Sequence, residues 1–529
     1  MWRMTAFAIP TVQADSDIRS EEPHGNERLL SFLSKYRVDV AVSGFFLLLG
    51  YGLKLFGNTF SIDTQSMISV PDALYGSWYE LGRYGLILLK KVTGLYWYNN
   101  VLSSFLTVVC FGAAALAWSY LLHAVAPEKN RSRPAFFIIP LVCSPVLAEQ
   151  LGFLLQGPEI ALSMMFVALS LLCVFRGSSH SGAKRAACYI TALVLAFVAF
   201  SVYLAMVTLF IAGTAFIYVV RFTGNERRSK QRGVWVALCV VCFACAYALY
   251  AAINRIVMSV LGIEPSSYTS DQSRWGKDSV GDIAQAVLLH AKDMYTGSGI
   301  FYTLIASVTF VLFLVVLIVR IGRHEIGVIS LLIGVAICVS PMLMSVILGS
   351  TPSVRTELSY AFAFAFAVFY IAGYVSSLIP AGLIVSWVCV AAIGLNQGFI
   401  VNRIFYTEAV TYGQDVQLSY EIKTRIDDLG YGETPELPVV FVGSHVPQRN
   451  NDCYDSSQLA LVGRSLYEIT FSTAHGTWVK NQFLNAQGVK YEYPSSAQMD
   501  KANAIVQSMP HWPAKGSVAV HDGLIIVNF

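Results

Sequence analysis

The sequence predicts an all-α polytopic membrane bundle of about eleven transmembrane helices, followed by a small α/β domain. Three observations lead there. First, 55% of the 529 residues are hydrophobic and only 13% are charged, with a mean hydropathy of +0.57. A soluble domain carries about one quarter charged residues, and a single aqueous core stops growing at about 250–300 residues, so the deficit points to lipid contact. Second, apolar runs of bilayer length recur from residue 38 to residue 397. Third, the chain turns polar and mixed after that point. The net charge of +3 is too small to suggest a nucleic-acid partner.

Taken in order, residues 1–37 read as a cytoplasmic tail. Residues 11–37 are polar and mixed in charge with no apolar run before them, so the pattern of a cleavable signal is lacking. A bilayer core takes about 20 apolar residues in a helix, which places spans near 38–56, 101–125, 135–155 and 157–176. The stretch 187–222 is too long for one span and turns at Ser201-Val202-Tyr203. Further spans lie near 234–260, 301–320, 325–349, 358–376 and 379–397, closing a membrane domain over 38–397. The run Tyr84 to Tyr98 is too short to span; its paired lysines and Tyr/Trp content suit a helix lying in the interface. The tail, 398–529, has helical stretches near 405–428, 474–486 and 498–508. Strand signals fall at Pro438–Gly443 (PVVFVG), SVAV and LIIVNF. Of ten cysteines only Cys453 lies outside the apolar stretches, so the tail cannot close an internal disulfide. Cys239, Cys242 and Cys245 read as small apolar filler.

Basic residues in short loops stay in the cytoplasm. Lys129, Arg131 and Arg133 form one cluster, and Arg176, Lys184 and Arg185 another. Arg221, Arg227, Arg228, Lys230 and Arg232 form the largest, and Arg320 with Arg323 the last. Counting spans from a cytoplasmic N-terminus puts all four inside. It puts the loops 57–100, 261–300 and 350–357 outside, together with the tail.

Ionisable groups at membrane depth cost energy and are functional candidates. Asp63 lies just beyond the first span, and Arg83 follows twenty residues later in Ser77-Trp78-Tyr79-Glu80-Leu81-Gly82-Arg83-Tyr84-Gly85. An acid that serves as general base, near an arginine that clamps phosphate bidentately, suits sugar transfer from a lipid phosphate. The hairpin Ser144 to Leu162 carries Glu149 and Glu159 near its outer tip; Glu159 also fits the first turn of its helix, where negative charge is favoured. Arg355 opens another outer-facing span, with snorkelling as the competing reading. Ser201 and Tyr203 occupy the outer turn of their hairpin.

In this order the pieces resemble the bacterial membrane glucosyltransferases of Gtr type II, which glucosylate O-antigen and other surface polysaccharides. The resemblance rests on Ser61-Ile62-Asp63-Thr64, on SWYELGRYG with Arg83, on Ser144-Pro145 with Glu149, on Ser201-Val202-Tyr203, on Arg355 and on PVVFVG in the tail. It implies a GT-C-like bundle with its active site at the outer face. The implied donor is a polyprenyl-phosphate sugar, typically glucose, and the implied acceptor a surface glycan. Asp63 becomes the general base, Arg83 and Arg355 the donor-phosphate residues, and Glu149, Gln156, Glu159, Tyr203 and Glu80 the supporting site. Three positions depart from the family pattern. Thr64 and Gln156 stand where acids are expected, and Leu204 where a glutamine is. No cofactor is called for; a divalent cation is left open, and the missing acids weigh against it.

Three other classes fit a polytopic envelope protein, one of them a non-enzymatic scaffold with the external domain as its binding module. A transporter or flippase calls for paired charges near the midplane and repeats in the two halves, neither of which is visible. A polysaccharide polymerase would place several arginines on a long outer loop, whereas 261–300 carries Arg274 with Lys277 and Lys292.

Overall fold

The computed structural model describes residues 29–222, 229–264, 271–432 and 435–529. The tail before residue 29 and the pair Arg227 and Arg228 therefore lie outside the described residues. Among those described, nine helices are long and apolar enough to span a bilayer. A bent pair and a 16-residue apolar helix, Met206–Arg221, account for the other two spans expected from sequence.

Helices α1 (Leu29–Lys35) and α2 (Arg37–Phe56) lead into a loop carrying three short helices, α3 (Thr64–Ser69), α4 (Pro71–Glu80) and α5 (Tyr84–Thr93). Helix α5 stops at Gly94, whose φ of 78° is a left-handed stop that glycine reaches without strain. Its apolar residues do not all face outward. Tyr84, Leu86, Ile87 and Lys90 are buried against protein, while Leu88 and Val92 remain exposed. Helix α6 (Asn100–Val125) is capped by the Asn99 side chain, which accepts from Leu102 N at 2.8 Å. Next come α7 (Ala135–Val142) and α8 (Pro145–Gly152), separated by a 58° bend. The residue before a proline is driven out of the helical region, and Ser144 is indeed extended, with ψ of 123°. Then follow α9 (Gly157–Ser179), α10 (Gly182–Val202), α11 (Met206–Arg221) and α12 (Ser229–Leu261).

After α13 (Val280–Thr296) the spans resume with α14 (Leu304–Gly322), α15 (Ile329–Val339) continued by α16 (Leu343–Leu348), and α17 (Leu358–Leu378). The Ala/Phe alternation of α17 mimics a strand pattern. The helix is buried on all sides from Leu358 to Tyr370, so no periodicity is needed to choose a face. The last span and the polar stretch near 405–428 form one uninterrupted 46-residue helix, α18 (Gly382–Asp427). At 1.5 Å per residue it runs roughly 69 Å, against a hydrocarbon core of about 30 Å. It therefore projects well beyond the bilayer and carries the tail.

The tail is a three-stranded sheet in the order β1-β3-β2, with β1 (Val439–Val442), β2 (Val518–His521) and β3 (Leu524–Asn528). Strand β3 is central and wholly buried, parallel to β1 (Val439 opposite Ile525) and antiparallel to β2 (Val518 opposite Val527). Helices α19 (Thr473–Ala486) and α20 (Ser496–Ile505) pack on the sheet, both of them against β1. Between β1 and α19 the chain has no regular structure, and the polar face of α18 satisfies it. Asp415 accepts from Ser465 Oγ at 2.6 Å and from Leu466 N at 2.8 Å. Thr407 Oγ1 accepts from Tyr454 N at 3.0 Å, and Arg403 donates to Asp452 O at 2.7 Å.

Polar contacts gather at the two ends of the bundle. At one end Arg133 pairs with Asp39 at 2.6 Å, Arg176 donates to Tyr120 Oη at 2.8 Å, and Arg320 donates to Asn130 Oδ1 at 3.3 Å. The described members of the basic clusters thus share a face. The other end holds the loops on which Asp63, Arg83 and Arg355 lie. Between the ends, small residues set helix spacing. A Cβ on Gly394 of α18 would lie 2.4 Å from Ile139 Cγ2 and 2.7 Å from Phe46 Cε1. Gly394→Val is expected to destabilise the protein by about 1–3 kcal/mol through overpacking. Thermal unfolding in detergent measures this, and an unchanged midpoint would contradict the close approach of α18 to α2 and α7.

Candidate active site

The site is built around the hairpin from Ser144 to Glu159. Every residue from Pro134 to Ala161 is buried, so a polar group on it that lacks a partner is costly. Glu149, on α8, takes backbone amides from the tail: Leu461 N at 3.0 Å and Val462 N at 3.2 Å. Gly152 makes room for that contact, since a Cβ there would lie 2.7 Å from Val462 Cγ2. Glu159, in the first turn of α9, pairs with Lys90 of α5 at 3.1 Å, both fully buried.

Between them lies the turn Phe153 to Gln156, and both arginines singled out from sequence meet it. Arg83 immediately precedes α5. Its Nη1 donates to Gln156 Oε1 at 3.1 Å, and its guanidinium lies 5.1 Å from the Tyr203 ring centroid. Arg355 belongs to a single 3-10 turn, Val354–Thr356, and stacks 4.7 Å from the Phe153 ring centroid. It also lies within electrostatic reach of Glu149. The structure therefore brings Arg83, Arg355, Glu149, Gln156, Glu159 and Tyr203 onto one hairpin. Glu80 stands apart from them in character, being exposed at the last residue of α4.

Asp63 is half-buried and stands just before α3 with φ of 73°, a left-handed conformation uncommon outside glycine. Backbone strain of this kind is held in place by its surroundings, and the surroundings here are explicit. Just before it, Lys54 and Glu408 form a buried pair at 2.6 Å. Ser61 Oγ donates to Glu408 at 2.8 Å, and Asn100 Nδ2 donates to Asn58 Oδ1 at 3.0 Å. Just after it, α19 of the tail lies on α3, with Trp478 Nε1 donating to Ser66 Oγ at 3.2 Å and Ser69 Oγ to Gln482 O at 3.0 Å. His475 of α19 lies within electrostatic reach of Asp63. Burial pushes its imidazole below the ordinary range; Asp63 acts against that shift and Lys480 adds to it.

Two buried amides have no hydrogen-bond partner among the described residues: Gln65, two residues beyond Asp63, and Gln150, next to Glu149. A second polar cluster sits two residues from Arg355. Glu357 accepts from Tyr302 Oη and lies 2.5 Å from His290 Nε2. Burial raises the Glu357 carboxyl above its ordinary value, and hydrogen bonds to His290 and Tyr302 oppose the shift. No three of His, Cys, Asp and Glu among the described residues cluster as a metal site, so no ligand set is assigned to a cation.

Sequence reasoning missed Lys54, Lys90, Glu408, Glu357, His290 and His475. Lys54 was visible, because an ionisable residue in the last turn of an apolar span is a candidate by the rule applied to Asp63. Lys90 was read as interfacial. The other four sit in polar stretches where nothing local distinguishes a buried partner from a solvated one.

A family model described as glucosyl transferase GtrII matches residues 52–392. The match takes in Asp63, Arg83, the hairpin, Tyr203 and Arg355, and ends before Glu408 and the tail. No curated protein and no solved structure matches.

Two expectations follow from this geometry. Lys54→Met strands a buried carboxylate and should cost about 3–5 kcal/mol, whereas adding Glu408→Met should recover much of the loss. A double-mutant cycle on unfolding free energy decides it, and simple additivity would count against the pair. Lys480 is pushed down to about 8 from its ordinary 10.5 by burial, so its charge penalises the folded tail. That penalty is complete below about pH 8 and is relieved as pH rises to 10.5, where the unfolded chain also loses the proton. Stability of the wild type relative to Lys480→Met should therefore rise across that window. A flat difference would remove the assignment.

Proposed function

The chain belongs to the GtrII glucosyl transferase family, and from that premise we propose that this multi-pass membrane protein moves glucose from a polyprenyl-phosphate donor to a surface glycan. The transfer takes place at the outer face, with the N-terminus cytoplasmic and the tail outside. What carries the reading is the convergence of Arg83 and Arg355 on one four-residue turn, Phe153 to Gln156. Two guanidiniums flanking a buried turn offer bidentate hydrogen bonding to a phosphate whose charge grows as it leaves.

The reaction balances without further reagents. The acceptor hydroxyl oxygen attacks the anomeric carbon and Asp63 takes its proton. A new glycosidic C–O bond forms while the bond from the anomeric carbon to the phosphate oxygen breaks, and polyprenyl phosphate departs against Arg83 and Arg355. One displacement inverts the anomeric configuration. Gln65 and Gln150 supply unused amide donors and acceptors of the type that sugar hydroxyls engage. Glu149 and Glu159 hold the hairpin, and Tyr203 supports Arg83. The family match favours transfer over the carrier and polymerase readings.

Asp63→Asn is the informative variant, because asparagine tolerates the left-handed backbone as aspartate does. It should lower turnover of polyprenyl-phosphate glucose about 10²-fold or more while the unfolding midpoint is kept. Arg355→Gln should weaken saturation by the lipid donor more than by the acceptor. Undiminished turnover in Asp63→Asn would refute the base, and consumption of donor without acceptor modification would refute the transferase.

A further inference from the structure

The turn that carries Arg355 has little of its own with which to hold a direction. Val354–Thr356 is a single 3-10 turn, closed by Thr356 N to Ser353 O at 2.8 Å and by Glu357 N to Val354 O at 3.1 Å. Turns this short have poor hydrogen-bond geometry and gain little cooperativity. Between Pro352 and Glu357, both buried, the chain is only half-buried. A proline side chain makes no hydrogen bonds, so the polar anchor of the turn is Glu357.

Glu357 is gripped from two elements that the proposed reaction does not use. Its Oε1 lies 2.5 Å from His290 Nε2 on α13, and its Oε2 accepts from Tyr302 Oη at the entry to α14. All three residues are buried, and the rings of His290 and Tyr302 meet edge to face with centroids 5.8 Å apart. Helix α13 closes onto the start of α14 because Gly297 ends it with φ of 74°, where a Cβ would lie 2.5 Å from Leu304 N. Neighbouring spans brace the grip. Tyr295 Oη of α13 donates to Cys338 O of α15 at 2.6 Å, and Thr303 N donates to Tyr360 Oη of α17 at 3.1 Å. Gln397 of α18 donates to Thr303 Oγ1 at 3.0 Å. Stability alone does not call for such a cluster, since apolar residues of similar volume often serve as well as buried charged groups. A guanidinium that must meet a phosphate with two hydrogen bonds does call for it, because contacts of that kind have to be held within about 0.5 Å and 10–20°.

We propose that Glu357, held by His290 and Tyr302, is a positioning residue for the lipid donor: it aims the Arg355 guanidinium at the phosphate and does not touch the phosphate itself. The inference rests on the reading of Arg355 as a donor-phosphate residue. A group that acts on phosphate binding only through Arg355 loses its effect when Arg355 is replaced, whereas independent contributions add.

Native mass spectrometry of the full-length protein in detergent, with added polyprenyl phosphate or polyprenol, tests the proposal. The wild type should retain the phosphate more tightly than the alcohol, and Arg355→Gln should reduce that preference. Tyr302→Phe and His290→Leu should each weaken retention of the phosphate about tenfold. Neither should affect the alcohol, and neither should add to the loss in an Arg355→Gln background. Glu357→Gln, which keeps the shape and can still bond both partners, should keep most of the preference. If His290→Leu does not fold, Tyr302→Phe, which removes a single oxygen, carries the test alone. An undiminished preference in these variants, or a loss that persists in full beside Arg355→Gln, overturns the positioning role. Wild-type preference in Arg355→Gln itself overturns instead the donor-phosphate reading beneath it.

Discussion

Two carboxylates buried on one hairpin hold the loop-bearing end of this molecule together. A buried carboxylate is tolerable only when its charge is met, and Glu149 and Glu159 are met from different directions. Lys90 comes to Glu159 from the first loop, and the amides of Leu461 and Val462 come to Glu149 from the tail. Because both acids ride on α8 and the start of α9, satisfying them fixes loop, hairpin and tail relative to each other. The turn between them is then rigid enough to carry Phe153 and Gln156 to the two arginines. Lys54 and Glu408 repeat the device one layer away, tying the end of α2 to the projecting part of α18. The loop bearing Asp63 is drawn taut between that pair and α19.

Much of the fold was legible because lipid imposes a single demand, that backbone groups be satisfied within each crossing segment. Length and apolarity then find the spans, and Ser201-Val202-Tyr203 finds one turn, whereas the bend before Pro145 falls inside the single span expected over 135–155. The tail's strands were legible as short apolar runs, and β3 is as buried as its sequence suggests. The continuity of α18 was not. A change from apolar to polar composition ends a membrane span but not a helix, and no proline interrupts Gly382–Asp427. The long irregular stretch before α19 was illegible for the opposite reason. Its order comes from Arg403, Thr407 and Asp415 on another element, which no local pattern can announce.

The candidate site divides along the same line. Asp63, Arg83, Glu149, Glu159 and Arg355 were readable as polar residues placed where polarity is expensive. Their partners were mostly not, because pairing is a property of the folded chain. His475 illustrates this: in sequence it is one histidine in a polar helix, and in the fold it comes within electrostatic reach of Asp63.

These contacts bear on what the tail is. Glu149 is 1% exposed, and its oxygens accept from the tail's backbone. Withdrawing those amides would remove hydrogen bonds to a carboxyl group, each contributing about 1.5–3 kcal/mol where the group is charged. A typical domain is stable by only about 5–15 kcal/mol. Separation would also expose the α3 face beneath α19 and release the strained backbone at Asp63. The physical cost of undocking therefore falls on the residues proposed to perform the chemistry. Tail and bundle are thus joined at the candidate site, and the tail packs against its residues rather than hanging from the bundle as an appended module.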